Sequence, residues 1–183
     1  MKPVVVLFVT ALLLIAGCSK KSAPELFKEA EETQQRAQRV VDSLGRAANI
    51  GEIFGEVVEG YEKVFREHPA SSEAEQALFK VGEIQAGILN RPEDALKAFR
   101  RYAEAFPSTP KTETAMFMVG YIFNNDLNMI DSAKAAYTRF LERFPDAELA
   151  TSAQYELSNL GKKPEDLLPL EPGEPQVAST PKK

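Results

Sequence analysis

The chain has 183 residues, a formal charge of −5, a single cysteine, a single histidine and no tryptophan. A mildly acidic chain without a basic block is a poor ligand for nucleic acid, whose affinity rests on neutralising phosphates. One thiol permits no intrachain disulfide, so the fold must be held by packing alone.

Lys2 precedes the stretch Val4 to Ala16, apolar except for Thr10, which stops at Gly17-Cys18 and passes into Ser19-Lys20-Lys21. A helical bilayer span takes roughly 20 residues, more than this stretch supplies, so residues 1–17 read as a secretory signal peptide rather than a permanent span. Ile15-Ala16-Gly17-Cys18 resembles the lipobox of bacterial lipoproteins. That resemblance implies that Cys18 takes a thioether-linked diacylglycerol and heads a mature chain running to Lys183, whose loss of Lys2 makes it one charge more acidic. More than one acyl chain then gives durable anchoring. The competing reading is an ordinary signal with an incidental cysteine, or an uncleaved anchor.

After a short linker at 18–23, residues 24–50 form one expected element. Leu26, Ala30, Thr33, Ala37, Val40 and Leu44 are spaced alternately by four and three, and Glu29, Glu31, Gln34, Gln35, Gln38 and Arg39 form a polar face. This amphipathic helix either caps a stack as half of a degenerate repeat or forms a short coiled coil. Asn49-Ile50-Gly51 suggests a turn before the next helix, which ends at His68.

Residues 51–168 are organised by repetition. Pro69, Pro107 and Pro145 recur at one constant interval, and Tyr61, Phe99 and Tyr137 stand at the same distance before them. Ala77, Ala115 and Ala153 match in the same register, as do Phe79, Phe117 and Tyr155, while Gly82 matches Gly120 and Ser158 replaces them in the third copy. Apolar residues at 78, 81, 84 and 88, then at 95, 98, 99, 102 and 106, have helical spacing, so each unit reads as a helical hairpin. Expected helix starts are a capping box at Ser72-Glu73-Ala74-Glu75, Thr109-Pro110, Asp131 and Asp146, and helix ends fall at the prolines. A hairpin of this size cannot bury its apolar face alone, so hairpins must stack.

Gly82, Ala95, Phe99 and Pro107, and again Gly120, Ala133, Tyr137 and Pro145, resemble the tetratricopeptide-repeat pattern. The resemblance implies an all-α solenoid of stacked helical hairpins, about three repeats with an N-terminal capping helix. The Phe-Pro turns are similar to those of the outer-membrane assembly lipoproteins of the BamD type and of periplasmic YbgF/CpoB-type proteins. These resemblances imply a lipid-anchored scaffold on the periplasmic face of the outer membrane that binds other envelope proteins. The alternative is a structural protein coordinating Tol-Pal or division functions. Ser19, next to the lipidated cysteine, is compatible with outer-membrane sorting.

No residues support chemistry. His68, the sole histidine, sits where Phe106 and Phe144 stand in the sister repeats and reads as a helix-end residue. Asn124 to Asp131 places oxygen ligands at alternate positions, but Met129 and Ala135 stand where a calcium loop needs Gly and Glu, so it reads as a polar inter-helix loop. No P-loop, dinucleotide motif or metal cluster is present in the sequence, so neither catalytic residues, metal, cofactor nor small-molecule substrate is expected. The expected partner-binding groove is lined by Gln76, Phe79, Glu83, Thr114, Phe117, Tyr121, Asn124 and Asn125, with Phe79 and Phe117 equally suited to packing between repeats. Residues 169–183 carry four prolines and too little apolar matter to fold, so a disordered tail is expected.

Overall fold

The computed structural model describes residues 20–162, so the expected signal peptide, Cys18 and the tail at 169–183 lie outside the described residues. Among the described residues seven α-helices follow one another: α1 (Ala23–Leu44), α2 (Ile50–Glu67), α3 (Ser72–Gly87), α4 (Pro92–Ala105), α5 (Lys111–Tyr121), α6 (Ile130–Arg143) and α7 (Ala150–Asn159). No strand occurs among them. Each helix packs on the next, and α1 also reaches α3, which is the nearest-neighbour pattern of a solenoid built from the hairpins α1–α2, α3–α4 and α5–α6, with α7 closing the row.

The three prolines occupy equivalent corners. The residues before them, His68, Phe106 and Phe144, share φ near −130° and ψ near 60° and donate their N–H to the carbonyls of Val64, Tyr102 and Phe140 at 3.0, 2.9 and 2.8 Å. Proline disfavours the α region for the residue before it, so each second helix stops there. The opposite corners also repeat: Asn90 and Asn128, in matching positions of successive copies, have φ of 50° and 51°, a left-handed conformation that asparagine tolerates better than other side chains.

Several local starts differ from the sequence expectation. Ser71, not Ser72, caps α3, its hydroxyl accepting the Ala74 N–H at 3.0 Å. Asp146 lies four positions before α7 begins and caps nothing. The first three residues of the loop expected over Asn124 to Asp131 belong instead to a π-helical turn over Ile122–Asp126 that widens the end of α5, with Leu127 N–H bonded to the Ile122 carbonyl at 3.1 Å, and only 127–129 remain between helices.

Residues expected to cap or to coil spend their apolar side within the chain. Leu26, Ala30 and Ala37 of α1 are buried, and α1 forms the first helix of a hairpin with α2. Its entry is held by Glu25, whose carboxylate accepts from the Ser22 N–H at 2.8 Å and its hydroxyl at 2.7 Å. His68 Nε2–H donates to the Lys21 carbonyl at 2.8 Å, pinning the start of the helix to the proline corner of α2.

Phe99 and Tyr137 are fully buried because glycine on the facing helix lets the rings in. A Cβ at Gly82 would stand 2.7 Å from Phe99 Cε1, and one at Gly120 2.6 Å from Tyr137 Cε1. Gly82→Ala is therefore expected to destabilise the fold by about 1–3 kcal/mol through overpacking. Gly55, inside α2, has open space around its missing Cβ, so Gly55→Ala should stabilise by about 0.5–1 kcal/mol. Thermal melts of the two variants should move in opposite directions, and equal shifts would refute the assigned helix contacts.

Candidate functional site

Two surfaces flank the stack, one formed by the first helices of the hairpins (α1, α3, α5, α7) and one by the second helices (α2, α4, α6). On the first-helix surface the expected groove divides. Gln76, Glu83, Tyr121 and Asn125 are exposed, and Thr114 and Asn124 are half-buried. Phe79 is buried edge-on against Phe99 and Tyr102, with centroids at 5.6 and 5.2 Å, and half-buried Phe117 lies against Tyr137 and Phe140 at 5.6 and 6.1 Å. Both rings pack between paired helices, Phe79 within the core and Phe117 at its edge with part of the ring exposed. Asn124 is also engaged, donating to Glu156 of α7 at 3.2 Å and tying neighbouring first helices together.

Tyrosines of the second helices pass through the stack toward this surface. Tyr61 donates to Gln34 at 2.6 Å, and burial, then the nearby Glu31 and Glu83 carboxylates, push its phenol up to about 12. Tyr102 donates to Glu75 at 2.8 Å and meets Thr109, which holds the corner before α5. Tyr137 is likewise raised, by burial and then by Glu156, yet its hydroxyl is buried without a hydrogen-bond partner among the described residues. Phe99 occupies the corresponding position in the preceding hairpin with no hydroxyl at all.

The other surface carries a concavity that the sequence alone does not reveal. Between α4 and α6, with α5 as floor, lies a cleft of about 500 Å³. Met116, Val119 and Phe123 form its base, and Arg100, Arg139 and Arg143 stand on its walls beside Glu104. Arg100 stacks over the Phe123 ring at 5.0 Å, and Arg143 donates to the Pro107 carbonyl at 2.6 Å. None of the three arginines is in an ion pair among the described residues. A smaller depression on the first hairpin is lined by Val40, which is 40% exposed, and Ile53.

No group of three or more His, Cys, Asp or Glu side chains that could hold a metal ion converges among the described residues. No helix among those residues is long and apolar enough to cross a membrane.

An unpaired buried hydroxyl costs roughly 1–3 kcal/mol of desolvation, so Tyr137→Phe is expected to leave the fold unharmed or raise its stability by about 1 kcal/mol. A drop in melting temperature of several degrees would show that the hydroxyl is satisfied. For Tyr61, folded and unfolded states both hold the proton below pH 10. Between pH 10 and about 12 the unfolded chain loses it while the folded chain keeps it, so stability should fall with rising pH across that window. Melting curves paired with phenolate absorbance test this, and an unchanged melting point over the window would contradict it.

The family model for the tetratricopeptide repeat matches residues 76–109 and 114–147. These two stretches are offset by the same interval that separates the prolines, and they cover most of α3–α4 and α5–α6. No curated protein matches the sequence. Stacked helical hairpins, glycine–aromatic contacts and proline corners agree with this match on the fold: an all-α solenoid of tetratricopeptide-repeat type, in which repeats of this kind suggest a protein–protein interaction scaffold.

Proposed function

We propose that the protein is a non-catalytic, lipid-anchored scaffold of the cell envelope, held at the periplasmic face of the outer membrane through Cys18 and binding other envelope proteins, with outer-membrane protein assembly of the BamD type as its setting. The observation that carries the scaffold reading is the stack itself: nearest-neighbour hairpins offer long side-chain surfaces. The lipobox-like Ile15-Ala16-Gly17-Cys18 supports the anchor.

Geometry adds a consequence. Cys18 lies three positions before Lys21, a reach of about 10 Å in extended chain, and His68 fixes Lys21 at a proline corner. A lipid on Cys18 therefore brings the edge bearing Pro69, Pro107 and Pro145 toward the bilayer and leaves the Asn90 and Asn128 edge pointing away. The YbgF/CpoB-type alternative relies on the N-terminal helix for oligomerisation, and the burial of Leu26, Ala30 and Ala37 within the first hairpin favours the assembly reading over it.

Labelling cells with an alkyne fatty acid should mark the wild-type chain but not Cys18→Ala, and Cys18→Ala should move to the soluble fraction. Tight membrane retention of the unlabelled variant would overturn the anchor. Photo-crosslinkers at Glu83, Tyr121 and Asn125 in the native host should capture outer-membrane assembly components. Capture of Tol-Pal components alone would transfer the role to the alternative.

A further inference from the structure

The arginine-lined cleft exists because two positions of the repeat have been exchanged. In the register set by the prolines, Glu62, Phe65 and Arg101 at the α2–α4 contact correspond to Arg100, Ala103 and Arg139 at the α4–α6 contact. At the first contact Arg101 forms a two-pronged ion pair with Glu62, at 2.7 and 2.9 Å, and lies over the Phe65 ring at 5.3 Å. That pair and that ring bridge the groove. At the second contact the glutamate has become Arg100 and the phenylalanine has become Ala103, so the bridge is replaced by two like charges and the ring by a methyl group. The space vacated is the cleft between Arg100 and Arg139.

We propose that this cleft is a binding site for an acidic, apolar-bearing segment of a partner protein. The three arginines against the single carboxylate of Glu104 leave the walls positively charged, and a segment carrying carboxylates restores the pairing that Glu62 supplies to Arg101. Arg100, held on Phe123, and Arg143, held by Pro107, are already ordered, so little side-chain freedom remains to be lost on binding. Arg139 has no hydrogen-bond or ion-pair partner among the described residues and is placed to take a carboxylate with both prongs. Met116, Val119 and Phe123 accept an apolar side chain between the charges. The volume is that of sites taking a few side chains rather than a whole helix. This proposal rests on the scaffold reading but not on the lipid anchor.

The test uses the full chain and a short fluorescein-labelled peptide of alternating glutamate and leucine, with a glutamine counterpart. Anisotropy should show binding that weakens as salt is added, and the glutamine peptide should bind at least about tenfold more weakly. The double substitution Arg100→Glu with Ala103→Phe copies the first contact into the second. It should keep or raise the melting temperature while weakening the acidic peptide at least about tenfold, and Arg139→Gln gives a milder variant with the same direction. Equal binding of the two peptides, or undiminished binding to the double variant, overturns the site. Binding that appears only after residues 163–183 are deleted also overturns it, because the chain's own Glu165 to Glu174 stretch is then the occupant. The two readings fail separately: equal binding of the two peptides refutes the cleft and leaves the host crosslinks at Glu83, Tyr121 and Asn125, on the first-helix surface, untouched, whereas absence of any crosslinked protein refutes the scaffold.

Discussion

Everything in this fold depends on how closely two helices of a hairpin can approach. Phe99 and Tyr137 fill the space left by absent Cβ atoms at Gly82 and Gly120, at distances where a methyl group would overlap the ring. The first hairpin keeps the same allowance in reverse. Its first helix has Ala30 where the others have glycine, with Phe27 standing three positions earlier as Phe79 and Phe117 do, and its second helix has Gly60 where the others have Ala98 and Ala136. A Cβ on Gly60 would come within 3.3 Å of the Ala30 Cβ, a tight contact that requires the facing backbone to give by a few tenths of an ångström. Each hairpin thus spends one glycine at this crossing, and the helix on which it sits is free to change.

That equivalence also explains what was legible. The prolines, the glycines and the aromatic residues repeat at a fixed interval because they answer local requirements of backbone and packing, and these requirements print directly on the sequence. Helix α1 escaped the period for a physical reason. Far more chain separates Ala30 from Tyr61 than separates Gly82 from Phe99. Most of the excess lengthens α1, by about two and a half turns beyond its glycine-equivalent position, and about one turn lengthens α2, so the first hairpin extends beyond its neighbours. Its amphipathic spacing was visible, but spacing alone does not distinguish a hairpin partner from a coiled coil; the partner is identified by Phe27 against Tyr61, with ring centroids 5.7 Å apart.

The turns were less legible because their residues are ambiguous. Asparagine has low helix propensity and is common in loops, so Asn124-Asn125-Asp126 reads as a break. In the structure the helix is prolonged by widening, and the reversal is taken one step later by Asn128 in the left-handed region. Asn90 does the same after α3, where Leu89 N–H bonds to the Ile84 carbonyl at 2.9 Å across the same span as Leu127 to Ile122. The paired asparagines, rather than the polar run, were the signal. Likewise spacing alone suits Phe79 and Phe117 both to a groove and to packing between repeats, and the structure buries Phe79 while leaving Phe117 half-buried.

The arginine cleft was hidden for a different reason. Every residue that forms it is readable, and the exchanges of Glu62 for Arg100 and of Phe65 for Ala103 are plain in the aligned copies. What the sequence does not state is which positions of neighbouring second helices face one another, and without that the exchange looks like ordinary surface variation. Once α4 and α6 are placed, the two like charges face each other across a partly apolar floor. Exposed pairs of this kind change stability by less than about 1 kcal/mol, so folding exerts little pressure either to keep or to remove them. The stack is already secured by its glycine–aromatic crossings and proline corners. Positions that packing leaves undetermined are where a repeat protein can differentiate one interface from the next, and here the difference is an ion pair in one groove and unpaired positive charge in the other.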